Sequence, residues 1–248
     1  MVEVVVSVVS HGQAEMTNRL ISDIARYAPE VQVLVTRNIP EAVPIYNPDL
    51  KNFNCHDNSE RKGFGANHNA AFLRASAPYF CIINPDVRLL DNPFPKLLEC
   101  FRDRRVGLVT AKVVSSVGNV EDSVRYFPTP IRLAGKFLGF GEGRYPTHAE
   151  KPIAVDWSAG MFMLFRAEAF REIDGFDENF FLYYEDVDIC ARLWNARLKV
   201  MYHPGVSVVH DAQRASRTNI QYLKWHLASM ARYFYKYFGR IPHIDSYR

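Results

Sequence analysis

Cysteine is scarce: the 248 residues hold only Cys55, Cys81, Cys100 and Cys190, and no two form a C-x-x-C pair. Thiols scattered in this way build neither a disulfide framework nor a zinc site, so reduced cysteines in a cytosolic protein are expected. No apolar run reaches the length needed to span a bilayer. The opening MVEVVVSVV has an acid where a signal peptide would be basic, which again predicts a cytoplasmic protein. Strong charge of one sign is missing too. A formal balance of +3 does not argue for nucleic acid as a partner, though it suits an anionic small ligand or an anionic membrane surface. A serine hydrolase is disfavoured because no G-x-S-x-G elbow occurs. No internal repeat or low-complexity tract is present.

What is present fits a folded α/β protein: 48% hydrophobic and 23% charged residues, in a chain long enough for a substantial core. Val2–Val9 is a β-branched run typical of a buried parallel strand. Met16, Leu20, Ile21, Ile24 and Ala28 then mark a helix, and Val31–Val35 is the next strand. A β–α–β start predicts a parallel sheet with ligands beyond the carboxyl ends of its strands.

Asn38–Lys51 reads as a loop, and Arg61 to Asn69 (RKGFGANHN) precedes a helix. Two glycines and two cations before a helix N-terminus can let backbone N–H groups approach phosphate, although a basic surface turn would look similar. Tyr79–Ile83 is a buried strand ending in Asn84-Pro85-Asp86, ordinary turn chemistry that places a carboxylate at a strand's carboxyl end. A hard cation such as Mg²⁺ or Mn²⁺ takes oxygen ligands of this kind together with substrate phosphates.

Phe94–Phe101 is predicted as a helix and Val106–Val114 as a strand. Ser115–Pro152, with Gly135, Gly139, Gly141 and Gly143 among aromatic and basic residues, is long enough to suggest a functional flap. A strand over Met161–Phe165 and a helix near Ala167–Ile173 follow. Further on, two short strands, Lys199–His203 and Val206–His210, are expected on either side of a turn at Pro204-Gly205. The tail, Asn219–Phe238, puts Ile220, Leu223, Leu227, Met230, Ala231, Phe234 and Phe238 on one helical face. Trp225, Arg232, Tyr233, Lys236 and Arg240 lie toward the other. Such a helix suits either packing on the domain or an anionic membrane interface.

The stretch from Gly175 to Arg192 is unusual. Asp177, Glu178, Glu185, Asp186 and Asp188 crowd around Phe180, Phe181, Tyr183 and Tyr184. Carboxylates in a partly apolar pocket have raised pKa values and can serve as bases. The helical spacing of Val187, Ile189, Leu193 and Trp194 sets Glu185 and Asp186 at a helix start, where acids also simply complement the helix dipole.

In this order the pieces resemble the family 2 inverting glycosyltransferases of the GT-A fold, in particular the bacterial rhamnosyltransferase-like members. The carriers are Val4–Ser10, GFGANHN from Gly63, Asn84-Pro85-Asp86, Gly160, GFDENFF from Gly175, Glu185 to Arg192, and His210 with Ser216. The resemblance implies one GT-A domain over 1–248, a mostly parallel Rossmann-like sheet flanked by helices. Residues 1–114 would be its nucleotide-sugar half, 115–217 its acceptor and catalytic half, and 218–248 a C-terminal helix. It implies a metal-dependent transferase moving a sugar, L-rhamnose from dTDP-rhamnose, to a hydroxyl of a bacterial cell-surface glycan or lipid-linked saccharide. Asp186 would be the base and Glu185 its neighbour orienting the acceptor. Ser10, Arg61, Lys62, Gly65, Asn67, Asn84 and Asp86 would contact a dTDP- or UDP-linked donor, with Asp86 and His210 on Mn²⁺ or Mg²⁺. A cytoplasmic location with peripheral contact at the inner membrane follows, without nucleic acid. Asn84 replaces the first acid of the family's D-x-D element, Arg37-Asn38 stands where relatives often carry Asp before Asn, and His11-Gly12 replaces a common Tyr-Asn. Two alternatives use the same layout: a sugar nucleotidyltransferase, which normally has a glycine-rich, arginine-bearing loop where Ser10-His11-Gly12-Gln13 stands, and a catalytically silent nucleotide-sugar-binding protein.

Overall fold

The β-branched opening run becomes the middle of a sheet covered on both faces. In a computed structural model, residues 3–46, 50–137, 145, 149–210, 220–242 and 244 are described. Strand β1 (Val4–Ser10) pairs in parallel with β2 (Gln32–Arg37) on one side and with β4 (Tyr79–Ile83) on the other. Beyond β2 lies β3 (Phe53–Asp57), also parallel. Helices α1 (Ala14–Tyr27) and α2 (Phe64–Phe72) connect these strands. On the far side of β4, β10 (Phe162–Arg166) runs antiparallel between β4 and β6 (Val106–Val114). Strand β11 (Lys199–His210) lies parallel to β6 and carries β5 (Val87–Arg88) and β8 (Ile153–Ala154) as short antiparallel neighbours. Among the described residues these nine strands form one sheet, most of them pointing the same way.

Apolar side chains on both faces explain why the strands read as continuous hydrophobic runs. One face packs Val6 and Val8 with Leu20, Ile21 and Ile24 of α1 and with Phe94 of α3 (Phe94–Glu99). The other packs Phe80 and Phe165 against Phe170 of α5 (Ala167–Glu172), Phe176, and Trp194 of α6 (Glu185–Asn195). A separate ribbon joins β7 (Val124–Arg125) to β9 (Trp157–Ser158).

Four expectations change. First, residues 53–57 form a strand that escaped prediction, because this edge strand is mostly exposed and polar. Second, Pro204-Gly205 does not turn the chain. The whole of β11 is one strand, with a register shift between His203 and Ser207. A bulge accommodates a proline that has no N–H for the ladder. Third, the 115–152 stretch contains β7 and helix α4 (Pro130–Phe137). The glycines at 139, 141 and 143 fall outside the described residues, as does Ser216. Fourth, the C-terminal helix α7 (Ile220–Lys236) faces the other way. Ser229, Tyr233 and, just beyond it, Tyr237 are buried, while Ile220, Leu223, Leu227 and Phe238 are exposed. No helix among the described residues is long and apolar enough to cross a membrane.

Candidate active site

Asp86 follows the carboxyl end of β4, and pairing across the sheet sets its neighbour. His210, the last residue of β11, lies opposite Val87 of β5. Asp86 therefore comes beside the imidazole, with Oδ2 3.2 Å from Nε2. The remaining polar atoms, Asp86 Oδ1 and His210 Nδ1, are buried without a hydrogen-bond partner.

A cleft of about 500 Å³ opens here, lined by Asn84 and Asp86 together with Arg61, Lys62 and Asn67. Asn38 and His11, at the carboxyl ends of β2 and β1, complete its wall. The Lys62 segment is pinned by amides: Asn38 Oδ1 accepts the Lys62 N–H at 2.8 Å, and Asn38 Nδ2 donates to Lys62 O at 2.9 Å. Asn58 Nδ2 donates to both Asn38 and Asn67. Arg37 is engaged by Asp57, its Nη2 2.6 Å from Oδ2. Arg61 lies over the rings of Phe181 and, at 4.7 Å, Trp225 of α7.

Glu185 and Asp186 open α6 and line a neighbouring cavity of about 280 Å³ with Arg125, Trp157, Arg132 of α4 and His226 of α7. Tyr183 borders both cavities. The turn into α6 is strained, because Tyr183 and Tyr184 both have left-handed backbones, φ 69° and 66°. Each such residue costs roughly 1–3 kcal/mol unless its surroundings hold it. Here Ser229 Oγ–H donates to Leu182 O at 2.8 Å and the Phe64 N–H to Phe181 O at 2.9 Å.

That turn aims Asp186 at the loop before β10. Its Oδ2 accepts the Gly160 N–H at 3.2 Å, and its Oδ1 the Val187 N–H at 2.8 Å. Next to Gly160, Met161 O accepts the Asn84 N–H at 3.0 Å. Two residues thus link the Asp186 carboxylate to the Asn84–Asp86 turn. Burial pushes the Asp186 carboxyl up to about 6, against those two N–H groups and the charge of Arg125. Burial, and then the charge of Asp186, push Glu185 well above the usual carboxylate range. Asp186 is the member of the pair that ionises first.

Of the residues expected from sequence, Arg61, Lys62, Asn67, Asn84 and Asp86 share the larger cleft, and Glu185 and Asp186 share the smaller. Ser10 and Gly65 line neither. Ser10 is fully buried, and a Cβ on Gly65 would lie 2.6 Å from that of Phe176, so this glycine admits close packing of α2. Sequence reasoning singled out Tyr183 beside the carboxylates but passed over Arg125, Trp157, Tyr222 and His226 as wall residues. The one usable signal was the mixed aromatic and basic face of α7.

Residues 147–217 match a family model described as the N-terminal domain of galactosyltransferase. The chain is 31% identical over 183 residues to rhamnosyltransferase WbbL of Escherichia coli, covering 69% of each protein. It is 32% identical over 142 residues to the N-acetylglucosaminyl-diphospho-decaprenol L-rhamnosyltransferase of Mycobacterium tuberculosis, over 52% of this chain and 45% of that one. Among solved structures, GalNAc-T7 with UDP, GalNAc and Mn²⁺ aligns with a TM-score of 0.65 at 13% identity, over 85% of this chain and 43% of that one. The mannosyltransferase PcManGT of Pyrobaculum calidifontis, with GDP-Man and Mn²⁺, aligns at 0.62 and 16%, over 93% and 64%. The chain belongs to the GT-A glycosyltransferases, among the rhamnosyltransferase-like members of family 2.

Proposed function

We propose that this enzyme transfers L-rhamnose from dTDP-rhamnose, with inversion, to a hydroxyl of a lipid-linked or cell-surface glycan. The names of the two rhamnosyltransferase relatives support the sugar, and the decaprenol of the second supports a lipid-linked acceptor. In this reading residues 1–114 hold the donor, 115–217 the acceptor and the base, and the helical tail closes the site from the side. The protein works in the cytoplasm, at the inner face of the membrane.

The observation that carries the reading is the short link from Asp186 through Gly160 and Met161 to Asn84 and Asp86. It brings a carboxylate with a raised pKa beside the cleft in which the donor diphosphate would lie. Asp186 takes the proton of the acceptor hydroxyl as its oxygen bonds to the anomeric carbon. The bond from that carbon to the diphosphate breaks on the opposite side, and the leaving group departs with the electron pair. Glu185, the later of the pair to ionise, orients the acceptor. Arg61 and Lys62 attract the diphosphate, and Asn67 holds their loop in place.

Asp86 and His210 fit a divalent cation held jointly with the donor. The buried Asp86 Oδ1 has no partner and would take the cation, while His210 turns Nε2 to the same carboxylate and would join through that nitrogen; among the described residues no larger His, Cys, Asp or Glu cluster could hold a metal alone. Mn²⁺ or Mg²⁺ there would neutralise charge developing on the departing diphosphate.

Thermal shifts with a panel of nucleotide sugars, with and without Mn²⁺, test the donor side. Stabilisation by dTDP-rhamnose above the UDP- and GDP-sugars is expected. Equal responses to all of them, or to none, would remove the donor assignment.

A further inference from the structure

We propose that the outward face of α7 seats on an anionic lipid bilayer, so that the cavity holding Asp186 opens beside the membrane surface. This deepens the proposed function, and its consequence for catalysis rests on that reading. The vesicle binding does not.

The helix is fixed by its inner face. Ser229 donates to Leu182 O, Tyr237 Oη–H to Asp188 Oδ1 at 2.9 Å, and Lys236 Nζ lies 2.7 Å from both Asp177 and Asp188. With that side committed, Ile220, Leu223, Leu227 and Ala231 fall at helical spacing along the opposite side, and Phe238 is exposed just past the helix end. Leu223 and Leu227 are about half exposed, Ile220 73% and Phe238 86%. Apolar side chains lined up toward water are a costly arrangement that association relieves.

Charge identifies the partner. No acidic residue occurs in α7, whereas Lys224, Arg232 and, beyond the helix, Arg240 are exposed around those apolar side chains. A symmetric pairing of two copies through this face would bring those cations together. A bilayer rich in phosphatidylglycerol meets them with opposite charge while accepting the apolar side chains. The same helix walls both cavities, through Tyr222 in one and His226 in the other. Helix α4, which also lines the smaller cavity, carries Ile131 at 84% exposure. A saccharide carried on a lipid would reach Asp186 from such a surface without leaving the bilayer.

The test is co-sedimentation of the full chain with vesicles of phosphatidylglycerol and phosphatidylcholine, and of phosphatidylcholine alone, at low and high salt. The protein should pellet with the anionic vesicles and be released by salt. The triple change Leu223→Ser, Leu227→Ser, Phe238→Ser, and separately Lys224→Glu with Arg232→Glu, should each weaken binding by about tenfold or more. Melting temperature and solution binding of the donor should stay as in the parent, which shows that the fold is intact. Failure of the parent to pellet, or equal pelleting of all variants, overturns the proposal. So does a stable dimer in sedimentation velocity that the apolar variant dissolves and that ignores vesicles. If vesicle binding holds but no acceptor is ever glycosylated, the proposed reaction fails and the docking surface stands.

Discussion

Gly160 donates its backbone N–H to the Oδ2 of Asp186, and in doing so ties a helix start to the middle of the sheet. The loop holding Gly160 runs directly into β10, whose Phe162 pairs with Ile83 of β4. Asp86 lies three residues past Ile83. One antiparallel strand pair therefore sets the spacing between the carboxylate at 186 and the acid at 86. Such a fixed arrangement needs little reorganisation as charge moves between donor and acceptor.

Replacing Asp186 with Asn removes the proposed proton acceptor but keeps the shape and a carbonyl oxygen to receive the Gly160 N–H. Turnover should fall by about two to four powers of ten, with donor affinity within a few-fold of the parent. Single-turnover transfer and donor titration separate the two effects. Near-normal turnover would assign the base elsewhere.

The pH profile follows from the same carboxylate. Only ionised Asp186 accepts a proton, and burial places its pKa near 6. The pH profile of kcat/KM should accordingly rise through about 6 and then level off, shifting only if the carboxyl is re-solvated. A rise centred near 4 would mean that the base is an ordinary exposed acid.

Stability should show the opposite trend. The folded pKa of Asp186 is raised from 3.8, so the fold loses stability as pH climbs through about 6 and the buried group ionises. Asp186→Asn does not ionise and should melt higher than the parent above pH 6, by about 2–4 °C for each kcal/mol relieved. Below the unfolded value the difference should vanish. A pH-independent difference in melting temperature would show that the carboxyl is not desolvated.

Asp86→Ala should weaken donor binding in Mn²⁺ far more than in chelator, since in the proposed reading its effect acts through a cation shared with the donor. His210→Gln should do the same to a smaller extent. Calorimetric titration of dTDP into each variant, with and without metal, reads this directly. Identical losses under both conditions would leave these two residues as structural partners of one another.

The elements that could be read from sequence are those buried on both sides. β1, β4 and β6 appear as mostly apolar runs because helices cover both faces of their sheet. β3 could not be read, since its residues are mostly exposed and only pairing with β2 makes them a strand. The inner face of α7 was hidden for a different reason. Leucine and phenylalanine spacing left packing on the domain and a membrane interface both open, and it is Tyr237 and Lys236 that turn inward, to the buried Asp188 about fifty residues earlier in the chain. The ordered motifs picked out Asp86, Glu185 and Asp186, which the fold brings to the two neighbouring cavities. Trp157, Tyr222 and His226 reach the cavities only through tertiary packing, and beyond the mixed aromatic and basic character of α7 nothing local to them says so.

Lys236 connects α7 to the start of α6 and to the segment before it. Its ammonium bridges Asp177 and the fully buried Asp188, which also holds Arg192 at 2.8 Å. Burial raises the Asp177 carboxyl, but hydrogen bonds from Lys236 and Asn179 outweigh it and hold the group at about 2. Lys236→Met keeps the stem and removes the charge, leaving Asp188 to Arg192 and Tyr237 alone. Removing one partner from a buried ion pair costs about 3–5 kcal/mol, and the remaining arginine should reduce that to about 2. The melting temperature should drop by about 4–8 °C in a chain of this size. Hydrogen exchange in α7 should accelerate ahead of the sheet, because one side of this helix is exposed and the lost bridge is among the contacts that hold the other. With Tyr222 and His226 loosened, kcat/KM should fall while the pH midpoint set by Asp186 stays near 6. Lys236→Arg, which restores the charge, should recover most of the lost stability, whereas an unchanged melting temperature in the methionine variant would show that the bridge contributes nothing.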